Sequence, residues 1–175
     1  MDPRHLFVDE RLTAMCVYCG GEPTTRDHVP SRVLLDKPYP ANLPVVDACE
    51  KCNKKFSIHE QYFACLIECA LTGSVEPNGV ERIKISRILE GNPKLRTRLL
   101  QSRKVDEYGN LFWEVESDRV KSVLIKLARG HAAFELSLLQ LEDPDVVSFT
   151  PFVYMSDEQR VAFESPLVPS VTLWP

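Results

Sequence analysis

Long apolar runs are absent from this sequence, since none approaches the roughly 20 residues that a membrane-spanning helix needs. The opening segment, MDPRHLFVDERLTAMC, also lacks the apolar stretch of a secretory signal peptide. We therefore expect a cytoplasmic protein with no membrane partner. In that compartment the six cysteines are expected to be metal ligands or buried thiols rather than disulfides.

Internal repeats, low-complexity tracts and a strong net charge are also absent. The chain has 175 residues, is 44% hydrophobic and 26% charged, and carries a net charge of −4. This composition is typical of a globular protein, and the net charge does not indicate a nucleic-acid binder. The distribution is uneven, because residues 82–104 contain eight Lys or Arg and one acid, whereas residues 135–175 contain one base and seven acids. The basic segment is interpreted either as a phosphate-binding track or as an ordinary solvated helix face.

Four of the cysteines form two C-x2-C pairs, Cys16 with Cys19 and Cys49 with Cys52. Zinc prefers four ligands in a tetrahedron, and this spacing lets each pair supply two sulfurs from one tight turn. The pattern predicts a structural zinc site, because four protein ligands leave no coordination position open. The other two cysteines, at positions 65 and 69, are predicted to be core thiols of a helix.

The order of elements predicts an α+β fold. TTRDHV indicates a strand that ends at Pro30, NLPVVDA indicates a second strand, and a proline-rich loop joins them. A helix is predicted from Asn53, followed by two basic helices within residues 80–105 that are broken at residues 91–93. Further elements are an N-terminal arm over residues 1–14, a strand in GNLFWEVES, an amphipathic helix in SDRVKSVLIKLARGHAAFELSLLQ, and strands over residues 146–174.

The segments CVYCG, TRDHVP, NL and CEKCN, in that order, resemble the HNH endonucleases. The resemblance covers roughly residues 16–60. It implies a ββα-metal core stapled by a zinc ion on four cysteines. It also implies that residues 1–74 are the nuclease domain and that residues 75–175 are a helix-rich α+β extension. The role of that extension stays open among substrate binding, dimerisation and regulation by a partner protein.

The family's motif also implies the catalytic residues. Asp27 is expected to coordinate a divalent cation, and His28 is expected to be the general base that takes a proton from water. Asn53 matches the second protein ligand of that cation, and Asn42 matches the residue that braces the loop and orients the histidine. Oxygen ligands favour Mg²⁺ or Mn²⁺ as the catalytic cation.

Several further residues are weaker candidates for the same site. Arg26, Lys54 and Lys55 are candidates for contacts with the substrate phosphate. Many HNH enzymes have a second histidine four residues after the ligand at the helix start, but Ser57 occupies that position here. Glu60 lies on the same helix face as Asn53, so it is a candidate third ligand, or else an ion-pair partner of a nearby base.

Two functions from different classes therefore remain open on the sequence alone. The first is an endonuclease that hydrolyses phosphodiester bonds in double-stranded DNA by a one-metal mechanism. The alternative is a non-catalytic, zinc-stapled module that binds nucleic acid or a protein. The choice of DNA over RNA is implied only by the resemblance.

Overall fold

The computed structural model describes residues 15–165, and the predicted N-terminal arm over residues 1–14 lies outside them. The chain divides into two compact units between Pro144 and Asp145. The described residues contain five α-helices and two antiparallel sheets of two strands each, which confirms the predicted α+β class. Within that class, the ββα-metal assignment stays a prediction.

The first unit contains all of the strands and four of the five helices in the described part of the chain. In chain order these are β1 (Thr25–His28), β2 (Val45–Ala48), α1 (Glu50–Thr72), α2 (Ile83–Gly91), α3 (Pro93–Ser102), β3 (Arg103–Val105), β4 (Leu111–Trp113) and α4 (Ser117–Leu136). Short 3₁₀ turns lie at Arg32–Leu34 and Pro77–Gly79. The break between the two basic helices is confirmed, because Asn92 ends α2 and its side chain caps α3 by accepting from the amide of Leu95.

The first hairpin leads directly into the longest helix. Strands β1 and β2 pair over four residues, with Asp27 opposite Val46 and His28 opposite Val45. Helix α1 begins at Glu50, three residues earlier than predicted, because the sulfur of Cys49 accepts from the amide of Cys52 and caps the helix. The second cysteine pair is therefore part of the helix start.

Helix α1 lies between two clusters of buried side chains. One cluster joins its C-terminal half to α2, α3 and α4, and includes Cys65, Leu89 and Leu99. The other joins the first cysteine turn, the hairpin and α4, and includes Tyr18 and Phe56, whose rings meet edge-on with centroids 5.0 Å apart. Residues on both sides of position 75 thus share one core, while the assignment of separate roles to residues 1–74 and 75–175 stays a prediction.

Helix α4 approaches the hairpin closely at a glycine. A Cβ atom at Gly130 would lie 2.5 Å from Cγ2 and 2.9 Å from Cγ1 of Val29, which directly follows β1. Only a residue without a side chain allows this approach. The neighbouring guanidinium of Arg129 donates to the carbonyls of Leu141 and Glu142 and to the Asp143 carboxylate, which fixes the segment after α4.

Two predictions of secondary structure were wrong. Residues 103–105 were assigned to a helix, but they pair with Leu111–Trp113 as a short hairpin. Residues 146–165 were assigned to strands, whereas the second unit has a 3₁₀ turn at Phe152–Tyr154 and helix α5 at Asp157–Glu164. The reason for the helix is a capping box, in which Ser156 and Gln159 exchange hydrogen bonds. The remainder of that prediction, residues 166–174, lies outside the described residues.

Candidate functional site

The four predicted zinc ligands meet at one point. The sulfur atoms of Cys16, Cys19, Cys49 and Cys52 all lie within 4.8 Å of one another, and those of Cys19 and Cys49 are 3.8 Å apart. Tetrahedral zinc with bonds of about 2.3 Å places its sulfur ligands about 3.8 Å apart. The cluster therefore has the residues and spacing to hold a metal ion such as zinc.

Individual cysteines of the cluster differ in their electrostatic surroundings. The backbone N–H of Cys52, together with hydrogen bonds to neighbouring thiols, lowers the pKa of Cys49 to about 7. Burial raises the pKa of Cys52 and of Cys16 above the ordinary value for a thiol. Cys49 is therefore the thiol of these three that offers a thiolate most readily at neutral pH.

The remaining two cysteines have no such role. Cys65 and Cys69 are fully buried in the core of α1. Burial raises the pKa of Cys65 to about 12 and that of Cys69 to about 11. The prediction that they are core thiols is confirmed.

Strand β1 presents two faces. Thr25 and Asp27 point towards α1, since the Thr25 hydroxyl accepts from the amide nitrogen of Asn53 at 3.2 Å and Asp27 is buried. Successive side chains on a strand alternate, so Arg26 and His28 share the opposite face. The Arg26 side chain is 59% exposed, and His28 is half-buried.

A buried lysine contacts both the Asp27 side chain and the main chain of His28. The ammonium of Lys126, on α4, lies 2.8 Å from Oδ2 of Asp27 and 2.6 Å from Oε1 of Glu60. It also donates to the backbone carbonyl of His28 at 3.2 Å. The hydroxyl of Tyr18 donates to the same Asp27 oxygen at 2.8 Å.

This network is almost fully excluded from water. The side chain of Lys126 is 0% exposed, and those of Asp27 and Glu60 are 8% and 4% exposed. Burial, with the negative charge of Asp27, raises the pKa of Tyr18 well above its usual range. Tyr18 therefore stays a neutral donor, and the lysine offsets two carboxylates that would be costly to bury unpaired.

The two carboxylates that were predicted as cation ligands are thus paired with an ammonium group. An ammonium already occupies Oδ2 of Asp27, and Glu60 pairs with Lys126 rather than with Arg26 or Lys55. A divalent cation at the same oxygen would be repelled by that ammonium. The described arrangement therefore does not fit a catalytic Mg²⁺ or Mn²⁺ held through this oxygen of Asp27, and the catalytic cation stays a prediction.

The other predicted residues lie around the start of α1 and the hairpin loop. The Asn53 amide nitrogen also donates to the carbonyl of Arg26 at 3.4 Å, so the helix start contacts the strand that carries His28. Lys54 pairs with Glu50 at 2.6 Å, and Lys55 is exposed. Asn42 is exposed and lines a cavity of about 630 Å³ between the hairpin loop and α4.

Lys126 is the residue that sequence reasoning missed. It follows the buried Val123 by three positions and precedes Gly130 by four, so all three share one helix face. A lysine on an apolar face indicates a buried partner, but it does not say which one.

Comparison with protein-family models, curated proteins and solved structures finds no match to this chain. In residues 15–165, no helix combines the length and apolar character that crossing a membrane requires.

Proposed function

We propose that this chain is an HNH-type endonuclease that hydrolyses phosphodiester bonds in DNA, with His28 as the general base. The observation that carries the proposal is the contact of Asn53, on the first turn of α1, with the strand that carries His28. Together with the cysteine cluster, it supports the ββα arrangement that the motif implies.

The two residues on the outward face of β1 have complementary chemistry. A neutral imidazole can take a proton from water as that water attacks the phosphorus atom and the bond to the 3′ oxygen breaks. Arg26, two residues before His28, presents a guanidinium that can pair with two phosphate oxygens. The Asp47 carboxylate lies 4.0 Å from Nε of Arg26 across the hairpin. The ammonium at Oδ2 of Asp27 does not fit a divalent cation there, so no step is assigned to a cation and the charge of the phosphate is assigned to Arg26.

Lys126 contributes by holding this strand. Its bonds to the Asp27 carboxylate and the His28 carbonyl connect α4 to both residues of the motif. The position of His28 therefore depends on a residue outside the segment that resembles the family. We infer that residues up to at least Gly130 are needed for a working hydrolytic site.

One observation favours the second candidate, a non-catalytic zinc-stapled binding module. The motif assigns the Asp27 carboxylate to a cation, but here it pairs with the buried ammonium of Lys126. Such an ion pair is equally consistent with a purely structural role. The two candidates differ in whether the chain turns over a substrate.

Nicking of supercoiled plasmid in Mg²⁺ or Mn²⁺ separates the two candidates. The wild type is compared with His28→Ala, after zinc content and circular dichroism show that both are folded. His131→Ala is the matched control, since His131 is also a half-exposed histidine but lies on α4. We expect nicking by the wild type and by His131→Ala, and loss of nicking in His28→Ala. Absence of nicking by the wild type would favour the binding module.

A further inference from the structure

Two of the eight basic residues of segment 82–104 contact the loop between β1 and β2. Arg82 pairs with Asp36 at 2.6 Å, and the ammonium of Lys84 donates to the carbonyls of Arg32 and Leu35 and to the hydroxyl of Tyr39. These two bases therefore hold the loop between β1 and β2 against α2.

Two more bases of the segment form surface ion pairs, Arg96 with Glu76 at 3.6 Å and Lys104 with Glu114 at 3.8 Å. The segment is therefore not a continuous phosphate track. The positive charge of the segment that is not neutralised is therefore confined to particular positions.

One place is a pocket of about 260 Å³ formed by residues of α1, α3 and α4. We call it the cationic pocket and define it by Lys94, Arg98 and Arg119, which line it together with Gln61, Tyr62 and Asn92. Asn92 is the cap of α3, so the partial positive charge of that helix start adds to the three side chains.

The positive charge of the cationic pocket is only partly neutralised. Glu116 lies 2.7 Å from Nε of Arg119 and 3.5 Å from a terminal nitrogen of Arg98. One carboxylate thus serves two guanidiniums, while Lys94 is exposed. The Arg119 guanidinium also lies over the ring of Tyr62, 5.5 Å from its centroid, which holds it in place.

Positive charges also surround His59, which lies one turn along α1 from Lys55. Burial, with the positive charges of Arg119 and Lys55, lowers the pKa of His59. Its Nδ1 atom is buried and has no hydrogen-bond partner among the described residues. Burial is the largest cause of this pKa shift, the two cations add to it, and Glu116 opposes it.

We propose that the cationic pocket binds a backbone phosphate of the nucleic acid whose hydrolysis is proposed for His28, and the inference rests on that function. A phosphodiester is a monoanion, and guanidinium groups bind its two free oxygens with two parallel hydrogen bonds. The ligand class is thus a phosphodiester on a nucleic-acid strand.

The spacing along α1 is short enough for one nucleic-acid strand to reach both regions. Asn53 contacts the strand that carries His28 and Gln61 lines the cationic pocket, and these two residues are about 12 Å apart along the axis of α1. A strand of duplex DNA rises about 3.4 Å per nucleotide, so three to four nucleotides would cover this distance.

Binding of a fluorescently labelled DNA duplex, followed by anisotropy over a salt series, tests the proposal. The measurement uses the full chain carrying His28→Ala, so it does not depend on turnover. Lys94→Gln and the double variant Lys94→Gln/Arg98→Gln are compared with Arg87→Gln. Arg87 is an exposed base of α2 outside the pocket, so the charge change matches that of Lys94→Gln.

We expect Lys94→Gln to weaken binding several-fold, and the double variant to weaken it by about tenfold or more. The slope of log affinity against log salt should fall by about 1 for each phosphate that a variant no longer neutralises. Because Lys94 is exposed, its replacement should leave the fold intact. Affinities and slopes equal to those of Arg87→Gln would overturn the proposal. Displacement of the duplex by micromolar inorganic phosphate would also overturn it, by assigning the pocket to a small anion.

Failure of this inference is distinguishable from failure of the proposed function. Weaker binding by the pocket variants, with no hydrolysis by the wild type, would support the pocket and contradict the hydrolysis. Hydrolysis by the wild type, with pocket variants that bind like Arg87→Gln, would contradict the pocket alone.

Discussion

The ammonium of Lys126 lies 2.8 Å from Oδ2 of Asp27, and both side chains are buried. These residues are ninety-nine positions apart in the sequence, and their contact joins helix α4 to the Asp-His strand. The same ammonium bonds the His28 carbonyl. A change at Lys126 therefore affects stability and the position of the proposed base together.

Replacement of Lys126 by methionine should be strongly destabilising. It would leave the carboxylates of Asp27 and Glu60 buried without their shared cation, and breaking a buried pair in this way typically costs about 3–5 kcal/mol. Urea unfolding of Lys126→Met measures the cost. Lys121→Met, at a half-buried lysine of the same helix, is the control and should cost less than about 1 kcal/mol. Equal stability of the two variants would contradict the role given to Lys126.

Replacement of Gly130 by alanine should also destabilise the protein, despite the better helix propensity of alanine. The new methyl group would meet Val29 at 2.5 Å, and overpacking of this kind costs about 1–3 kcal/mol. Gly91→Ala is the control, because a Cβ atom there meets nothing within 4 Å. The melting temperature of Gly130→Ala should be lower than that of the wild type, and that of Gly91→Ala should be equal to it or higher. Identical melting of the two variants would argue against the close approach of α4.

Metal binding by the four-cysteine cluster should depend on pH and support the fold. Zinc displaces protons from thiols, and burial raises the pKa of Cys16 and Cys52 while that of Cys49 is about 7. Cys16 and Cys52 are already protonated at pH 7 and Cys49 becomes protonated below it, so zinc affinity should fall by about tenfold per pH unit for each proton that the metal displaces. Competition with a chromogenic chelator measures this dependence.

Variants at two cysteines provide the control for the zinc site. Cys49→Ser should lose zinc and the cooperative unfolding of the first unit, because the metal joins the two cysteine turns. Cys69→Ala removes a buried thiol outside the cluster and should keep full zinc content. A Cys49→Ser variant with normal zinc content and normal melting would refute the structural role of the site.

Local features of the sequence predicted the parts of the fold that depend on short-range spacing. The two C-x2-C pairs, the strand ending before Pro30 and the break before Pro93 all follow from neighbouring residues, and the structure confirms them. The strand prediction for residues 146–165 was wrong because the capping box at Ser156 favours a helix over the β propensity of the surrounding aromatic residues.

Long-range partners could not be predicted in the same way. The sequence places Glu60 on the face of α1 that includes Asn53, but it does not show that α4 brings Lys126 to within 2.6 Å of it. The alternation of β1 indicates that Asp27 and His28 face opposite ways, although both can border one site at a twisted strand end. Which face is buried depends on the packing of α4, which is a tertiary property.

The rate of DNA hydrolysis by His28→Ala, relative to His131→Ala, is the most direct test of the proposed function. Both proteins should be compared at equal zinc content, with Mg²⁺ or Mn²⁺ present. Removal of a general base typically lowers the rate by about 10²–10⁴-fold, so we expect a loss in that range for His28→Ala and less than about twofold for His131→Ala. Hydrolysis by His28→Ala at the rate of His131→Ala would contradict the account, because the reaction would not then depend on the strand that Lys126 holds.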